Sequence, residues 1–307
     1  MSKTNSPLKS MSRRNFITIS GAASAMLVAR SDRTAALAAP VAAASGTKKR
    51  PIGLELYSVR NELMRDLPKT LDTVAKIGYE VVEFYAPYFG WTLPYAKEVR
   101  ARMDDLGLRC YSTHNHIESF THGETMDKAI ELNQILGTRY IVMASSPGWA
   151  RGVEGWQRLC RQLSDATEKL IPHGLSAGYH NHQVEWAKLD GDQRIMEFIA
   201  ANTPKEFVLQ LDVGTCVETN SHPVEWVKAN PGRIKIVHLK DWAPDNAAHD
   251  KGYKVLFGEG VTPWKELIAA LESVGGVEFY LMEQEGSRFS EFETVKHCLD
   301  NWNKMRA

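Results

Sequence analysis

The feature that most limits the fold of this chain is a repeat. From Lys48 onward a short apolar run is followed by a longer amphipathic segment, eight times in succession. The apolar runs are Ile52–Tyr57, Glu80–Tyr85, Leu108–His114, Tyr140–Met143, Ser176–His180, Phe207–Asp212, the stretch around Ile234–His238, and Phe279–Met282. Their length and β-branched or aromatic content predict strands. The intervening segments predict helices over Pro68–Lys76, Pro94–Leu106, Glu124–Leu136, Glu154–Ile171, Arg194–Ala200, Pro223–Lys228, Pro263–Ser273 and Phe292–Trp302. Gly78, Gly107, Gly137 and Gly174 each stop a helix just before the next strand. Eight strand-plus-helix units with short connections predict an α/β fold, a single closed (β/α)8 barrel, because parallel strands need helical crossovers and eight of them close without an edge. No GxGxxG or GxxxxGK[ST] follows any strand, which counts against dinucleotide and P-loop sites.

Residues 1–45 read as a leader and linker, and 48–307 as the one folded domain. Ser12-Arg13-Arg14-Asn15-Phe16-Ile17 resembles a twin-arginine export signal. An apolar run from Phe16 to Ala29 and Ala-x-Ala patterns at Ala36-Leu37-Ala38 and Ala42-Ala43-Ala44 follow it. The run is shorter than the roughly 20 residues of a spanning helix, so a cleaved leader is expected rather than a permanent membrane anchor. The expected partner is the twin-arginine export machinery and the expected location the periplasm or another extracytoplasmic compartment. Lys+Arg and Asp+Glu both number 37, so no broad basic surface for nucleic acid is expected. The four cysteines stand far apart without CxxC spacing and read as buried free thiols.

Polar residues cluster where the strands end. The fifth strand runs into His180-Asn181-His182, the sixth ends at Asp212, the seventh carries His238 and Lys240, and the eighth runs into Glu283-Gln284-Glu285. Alternation along a strand puts His180, Asp212, His238 and Glu283 in one inward layer, with His182, Lys240 and Glu285 two residues higher. All eight strand tips of such a barrel surround one pocket. Two imidazoles and two carboxylates converging there suit a divalent ion with borderline N and O donors. Taken singly, Asp212 also reads as a helix N-cap, Glu283 as a loop residue and His180 as a core histidine.

The motifs Leu54-Glu55-Leu56-Tyr57-Ser58-Val59-Arg60, Gly78-Tyr79-Glu80-Val81-Val82-Glu83, Tyr179-His180-Asn181-His182-Gln183-Val184-Glu185-Trp186, Leu211-Asp212-Val213-Gly214, His238-Leu239-Lys240-Asp241, Gly258-Glu259-Gly260 and Met282-Glu283-Gln284 occur in order over residues 50–305. Together they resemble the xylose isomerase-like TIM-barrel superfamily, and within it the sugar phosphate isomerase/epimerase branch. The resemblance implies a metal held by a carboxylate on strand five, Asp on six, His on seven and Glu on eight. Asp212, His238 and Glu283 match. Strand five departs, with His180 where many relatives carry Glu. Either His180 takes the carboxylate's place, or Glu185 reaches in from the following loop, or the site is weaker or empty; the first reading is adopted, giving His180, Asp212, His238 and Glu283 as ligands. Manganese is the first expectation, with zinc, cobalt, iron and magnesium behind it.

The resemblance further implies proton removal beside a carbonyl of a sugar or keto-sugar, through an enediolate. Glu283, Glu185, His182 and Lys240 are then the acid/base and polarising candidates, and Glu83, His114, His116, Glu285 and Trp186 the residues binding substrate. An exported enzyme meets unphosphorylated carbohydrate rather than sugar phosphate. Two alternatives keep the same pocket: a lyase or dehydratase acting on a keto-inositol or 3-keto-glycoside by β-elimination, and a carbohydrate-binding barrel without catalysis. A homo-oligomer is left open. The superfamily also includes abasic-site endonucleases, which resemble one another in a His three residues after the strand-six Asp. Thr215 stands there, and with zero net charge DNA repair is not expected.

Overall fold

Along each predicted strand, inward and outward side chains alternate, and the two sets meet different neighbours. A computed structural model describes residues 49–245 and 251–307. The leader reading falls on residues 1–45, outside the described residues. Among the described residues there are ten strands: β1 Ile52–Glu55, β2 Val81–Phe84, β3 Arg109–Asn115, β4 Tyr140–Met143, β5 Ser176–His180, β6 Lys188–Asp190, β7 Gln193–Arg194, β8 Val208–Asp212, β9 Ile236–Leu239 and β10 Phe279–Met282. Eight of them close a parallel barrel in the order β1-β10-β9-β8-β5-β4-β3-β2. The expected (β/α)8 barrel is therefore observed.

The helices are α1 Arg60–Arg65, α2 Leu67–Ile77, α3 Leu93–Asp105, α4 Glu124–Leu136, α5 Gly152–Leu170, α6 Ile195–Ala201, α7 Val213–Glu218, α8 Pro223–Ala229, α9 Trp264–Ala270 and α10 Glu291–Arg306. Three features escaped the sequence reading. A two-stranded hairpin, β6–β7, precedes α6; the short α1 and α7 follow directly on strand ends; and α9 is extended by a π-helical turn at Leu271–Gly275. Each is too short to show a periodicity of its own. The expected helix stops at Gly78, Gly107, Gly137 and Gly174 all have positive φ, a conformation only glycine takes without strain. No helix among the described residues is long and apolar enough to cross a membrane.

Outward-facing strand residues such as Leu54, Val82, Leu209, Val237 and Met282 pack with the helices in one large core. A separate cluster fills the lower barrel interior: Val81, Tyr140, Val142, Val208, Ile236, Phe279 and Leu281, with Tyr111 against it. There is no room in it for a larger residue at Gly53, whose Cβ would lie 2.7 Å from the Val81 carbonyl oxygen and 2.8 Å from Leu281. This apolar plug is the floor on which the polar strand ends stand.

Candidate active site

One turn of alternation above the plug, the same strands point acids, imidazoles and amides inward. Register sets Glu55 of β1 beside Glu83 of β2, His180 of β5 beside Gln210 of β8, and Asp212 beside His238 of β9. Lys240 and Glu283 follow just past the ends of β9 and β10. On β3 a register shift opposite Val82–Phe84 inserts one residue. Tyr111 consequently packs on the plug while the next residue, Ser112, hydrogen-bonds to Glu83. His114 then returns to the interior, the re-aiming that a β-bulge produces.

Glu83, fully buried, is the hub of the lower tier. It accepts from His238 Nε2 at 2.7 Å, from Gln210 Nε2 at 3.2 and 3.0 Å, and from Ser112. Burial alone would raise its pKa, but the neighbouring His114 and His238, with bonds from His238 and Ser112, hold it down to about 2. The other ring nitrogen of His238, Nδ1, meets Glu283 Oε2 at 2.5 Å. Desolvation opposes a charge on His238, yet the two flanking carboxylates keep its pKa well above the ordinary value. His180 shows the reverse: burial and the neighbouring imidazoles His238 and His114 push it well down. His114 is likewise lowered, chiefly by burial, although Glu83 is 3.3 Å away. Its closer partner is the neutral Gln210 Oε1 at 2.6 Å.

Above this tier lies the Lys240 ammonium, 3.2 Å from Glu283 Oε1, 3.5 Å from Asp212 Oδ2 and in contact with Glu285. Burial works against its charge, but Glu283, Asp212 and Glu285 together raise its pKa well above normal. Glu283 is correspondingly held low by Lys240 and His238 against its own desolvation. Asp212 divides its labour. Oδ1 caps α7 by accepting from Thr215 N at 2.9 Å, so the N-cap reading of Asp212 holds. Oδ2 is buried with no hydrogen-bond partner, 3.8 Å from His180 Nε2. Donor atoms of His180, Asp212 and Glu283 lie within 4.8 Å of one another. An orphaned carboxylate oxygen beside an imidazole nitrogen and a second carboxylate is the donor set a divalent cation satisfies, so these residues fit a metal. Donors of Glu55, Glu83 and His238 also come within 4.8 Å. There, however, Glu83 already has both oxygens taken by N–H and O–H donors.

A cleft of about 420 Å³ opens onto these groups, lined by Glu55, Tyr57, Tyr85, His114, His116, His180, His182, Lys240, Tyr253, Glu283 and Glu285. Two hollows at the opposite end, one larger than the cleft at about 740 Å³ and one smaller at about 370 Å³, both lined by Lys205, Gly232 and Arg233, hold none of this chemistry. Of the residues expected to bind substrate, His114, His116 and Glu285 line the cleft. Glu83 lies beneath it. Trp186 is outside the barrel, edge-on to Trp226 at 5.4 Å. Glu185 is buried, accepting from Tyr179 Oη at 2.6 Å and from the His182 amide at 2.7 Å, so it shapes the loop and does not reach the Asp212 cluster. Sequence reasoning did not single out Glu55, Gln210 or Tyr253. Glu55 and Gln210 carried a usable signal, as polar residues at inward positions of otherwise apolar strands. Tyr253 carried none, since it arrives on a loop. Its ring sits 4.7 Å from Lys240 Nζ and its hydroxyl bonds to Glu218.

Comparison with known proteins agrees with this architecture. The profile of the family described as xylose isomerase-like TIM barrel matches residues 71–302. An inosose dehydratase of Clostridium botulinum is 29% identical over 108 residues, 35% of this chain and only 36% of that protein's own length. Among solved structures, a sugar phosphate isomerase/epimerase from Parabacteroides distasonis superposes with a TM-score of 0.69 at 24% identity, covering 83% of this chain and 94% of that one. The IOLI protein with a bound zinc atom superposes at 0.63 and 14% identity, covering 83% and 97%. The structural likenesses are of fold; the profile match extends over most of the sequence, and the chain belongs to the xylose isomerase-like TIM barrel family.

Proposed function

We propose that this protein is a divalent-metal-dependent isomerase or epimerase that moves a proton at the carbon beside the carbonyl of an unphosphorylated sugar or keto-sugar. The observation that carries the reading is the convergence of His180, Asp212 and Glu283 at the floor of the cleft, with a buried Asp212 oxygen that accepts no hydrogen bond and has the Lys240 ammonium 3.5 Å away. His180 Nε2, Asp212 and Glu283 would hold the ion, and His238 would join them through Nδ1 if the hydrogen it gives Glu283 were released. When bound it supplies Lewis-acid stabilisation of negative charge developing on a substrate oxygen, worth several kcal/mol. Manganese is our first expectation, with zinc, cobalt, iron and magnesium as alternatives.

The remaining roles belong to the chain itself. Glu283, kept ionised by Lys240 and His238, is the acceptor we assign for the substrate proton. Glu55 lies on the same cleft, its pKa raised by burial and by Glu83, and so retains a proton for the return step; His182 at the cleft wall is the other acid/base candidate. Lys240 orients a substrate oxygen that displaces the partly exposed Glu285. The charge of the cleft favours neutral substrates. Lys240 is the only Lys or Arg among the described residues that line it, and three carboxylates already face it. Among the described lining residues a phosphate group would find no Lys or Arg that is not already paired with carboxylates. The export expectation for residues 1–45 agrees, and cell fractionation tests it.

The similarity to an inosose dehydratase favours a second reading on the same site, β-elimination of water from a keto-inositol or 3-keto-glycoside. Incubating the protein with Mn2+ and neutral keto-sugars in D2O separates them. Deuterium at the carbon beside the carbonyl without loss of water supports isomerisation or epimerisation, and loss of water or an aglycone supports the lyase. Protein that binds a sugar but no divalent ion, and exchanges no proton, would overturn both in favour of a binding barrel.

A further inference from the structure

Two buried histidines have their ring nitrogens assigned by one amide, and a third by the carboxylate that this amide binds. Gln210 presents Nε2 to both oxygens of Glu83, at 3.2 and 3.0 Å. A carboxylate accepts hydrogen bonds and cannot donate them, so this end of Gln210 must be its NH2 group. Its carbonyl Oε1 therefore faces the other way, 2.9 Å from His180 Nδ1 and 2.6 Å from His114 Nε2. An oxygen that accepts from both requires that both nitrogens carry hydrogen. Glu83 imposes the same on His238 Nε2, 2.7 Å away.

From this we infer that Glu83 and Gln210 are positioning residues: Gln210 fixes the tautomer of His180, leaving its Nε2 as the lone-pair nitrogen turned toward Asp212, and Glu83 holds a hydrogen on His238 Nε2, so that Nδ1, which donates to Glu283 in the metal-free protein, is the nitrogen that can be freed for an ion. Neither residue lines the cleft. The pattern is the outer-sphere support of a metal-binding imidazole, in which the far ring nitrogen donates to a carboxylate or carbonyl. Here a single ionised side chain supports one imidazole directly and a second through an amide relay. The need for a relay follows from strand five. His180 stands at the inward end of that strand, and an imidazole, unlike a carboxylate, must have its protonated nitrogen chosen for it.

The inference rests on the proposed metal site for its purpose but not for its test. Long-range proton–nitrogen NMR of metal-free protein labelled at histidine nitrogens should show His180 protonated at Nδ1, the less common tautomer of a free imidazole. Gln210→Leu should move it to the Nε2–H form. His180 found as Nε2–H in the wild type overturns the inference, and so does an unchanged tautomer in folded Gln210→Leu; if that variant does not fold, the wild-type spectrum decides alone. Mn2+ titration gives the second readout. Gln210→Leu and Glu83→Ala should each bind about 10–100-fold more weakly than wild type, and equal affinity would count against the positioning role. Wild-type protein that binds no divalent ion, yet shows the Nδ1–H tautomer, would defeat the metal reading alone.

Discussion

The two halves of the barrel interior are built from the same strands and differ in nearly every physical respect. The lower half, Val81, Tyr140, Val142, Val208, Ile236, Phe279 and Leu281, gains stability from each methylene it hides. The upper half buries Glu55, Glu83, Asp212, His238, Lys240 and Glu283 at similar depth. Its members must repay their desolvation through one another, which makes it a network whose parts fail together. The comparison teaches that depth alone is a poor guide to role. The plug is replaceable by any apolar set of the right volume, whereas the upper tier is specified atom by atom.

This contrast can be broken in four ways. The largest effect should come from Lys240→Met, which leaves Asp212, Glu283 and Glu285 facing one another; we expect a loss of about 4 kcal/mol in urea unfolding of metal-free protein, partly restored by Mn2+. A loss that Mn2+ does not reduce would break the link between that cluster and a cation. Leu281→Ala in the plug should cost about 3 kcal/mol with Mn2+ affinity unchanged, because it opens a cavity without touching a donor. A parallel loss of metal binding would show that the halves are not separable.

The acid limb of stability gives a third comparison. Glu83 is depressed in the folded state, so its contribution is fully present above the ordinary carboxylate value of 4.5 and is lost as pH falls toward about 2. Glu83→Gln should flatten the stability curve in that window, and Leu281→Ala should shift it down without changing its slope. Both are read from urea midpoints across pH. The smallest effect belongs to Trp186→Phe. The indole N–H of Trp186 has no hydrogen-bond partner and the ring packs outside the barrel. We expect about 1 kcal/mol or less and an unaltered turnover; a large fall in substrate affinity would restore Trp186 to the substrate-binding set.

Much of this was legible in the residues. Strand and helix spans came within a few residues because runs such as Tyr140–Met143 and Phe279–Met282 are bounded by glycine stops and polar loops. The inward positions of His180, Asp212, His238 and Glu283 followed from alternation alone. Alternation could not show that His238 lies between two carboxylates, or that Glu83 sits below the cleft rather than in it. Nor could it show the inserted residue on β3 that brings both Ser112 and His114 to the hub.

By itself the sequence determined the closed eight-unit barrel and the end of it at which the chemistry gathers, since both are consequences of local periodicity: one residue in two faces inward, and a helix returns each strand parallel to the last. Only the tertiary structure decided which donor meets which acceptor. Those pairings join residues as far apart as Glu83 and Gln210, or His238 and Glu83. They depend on strand stagger and on the direction of single N–H bonds, quantities that no one-dimensional pattern contains.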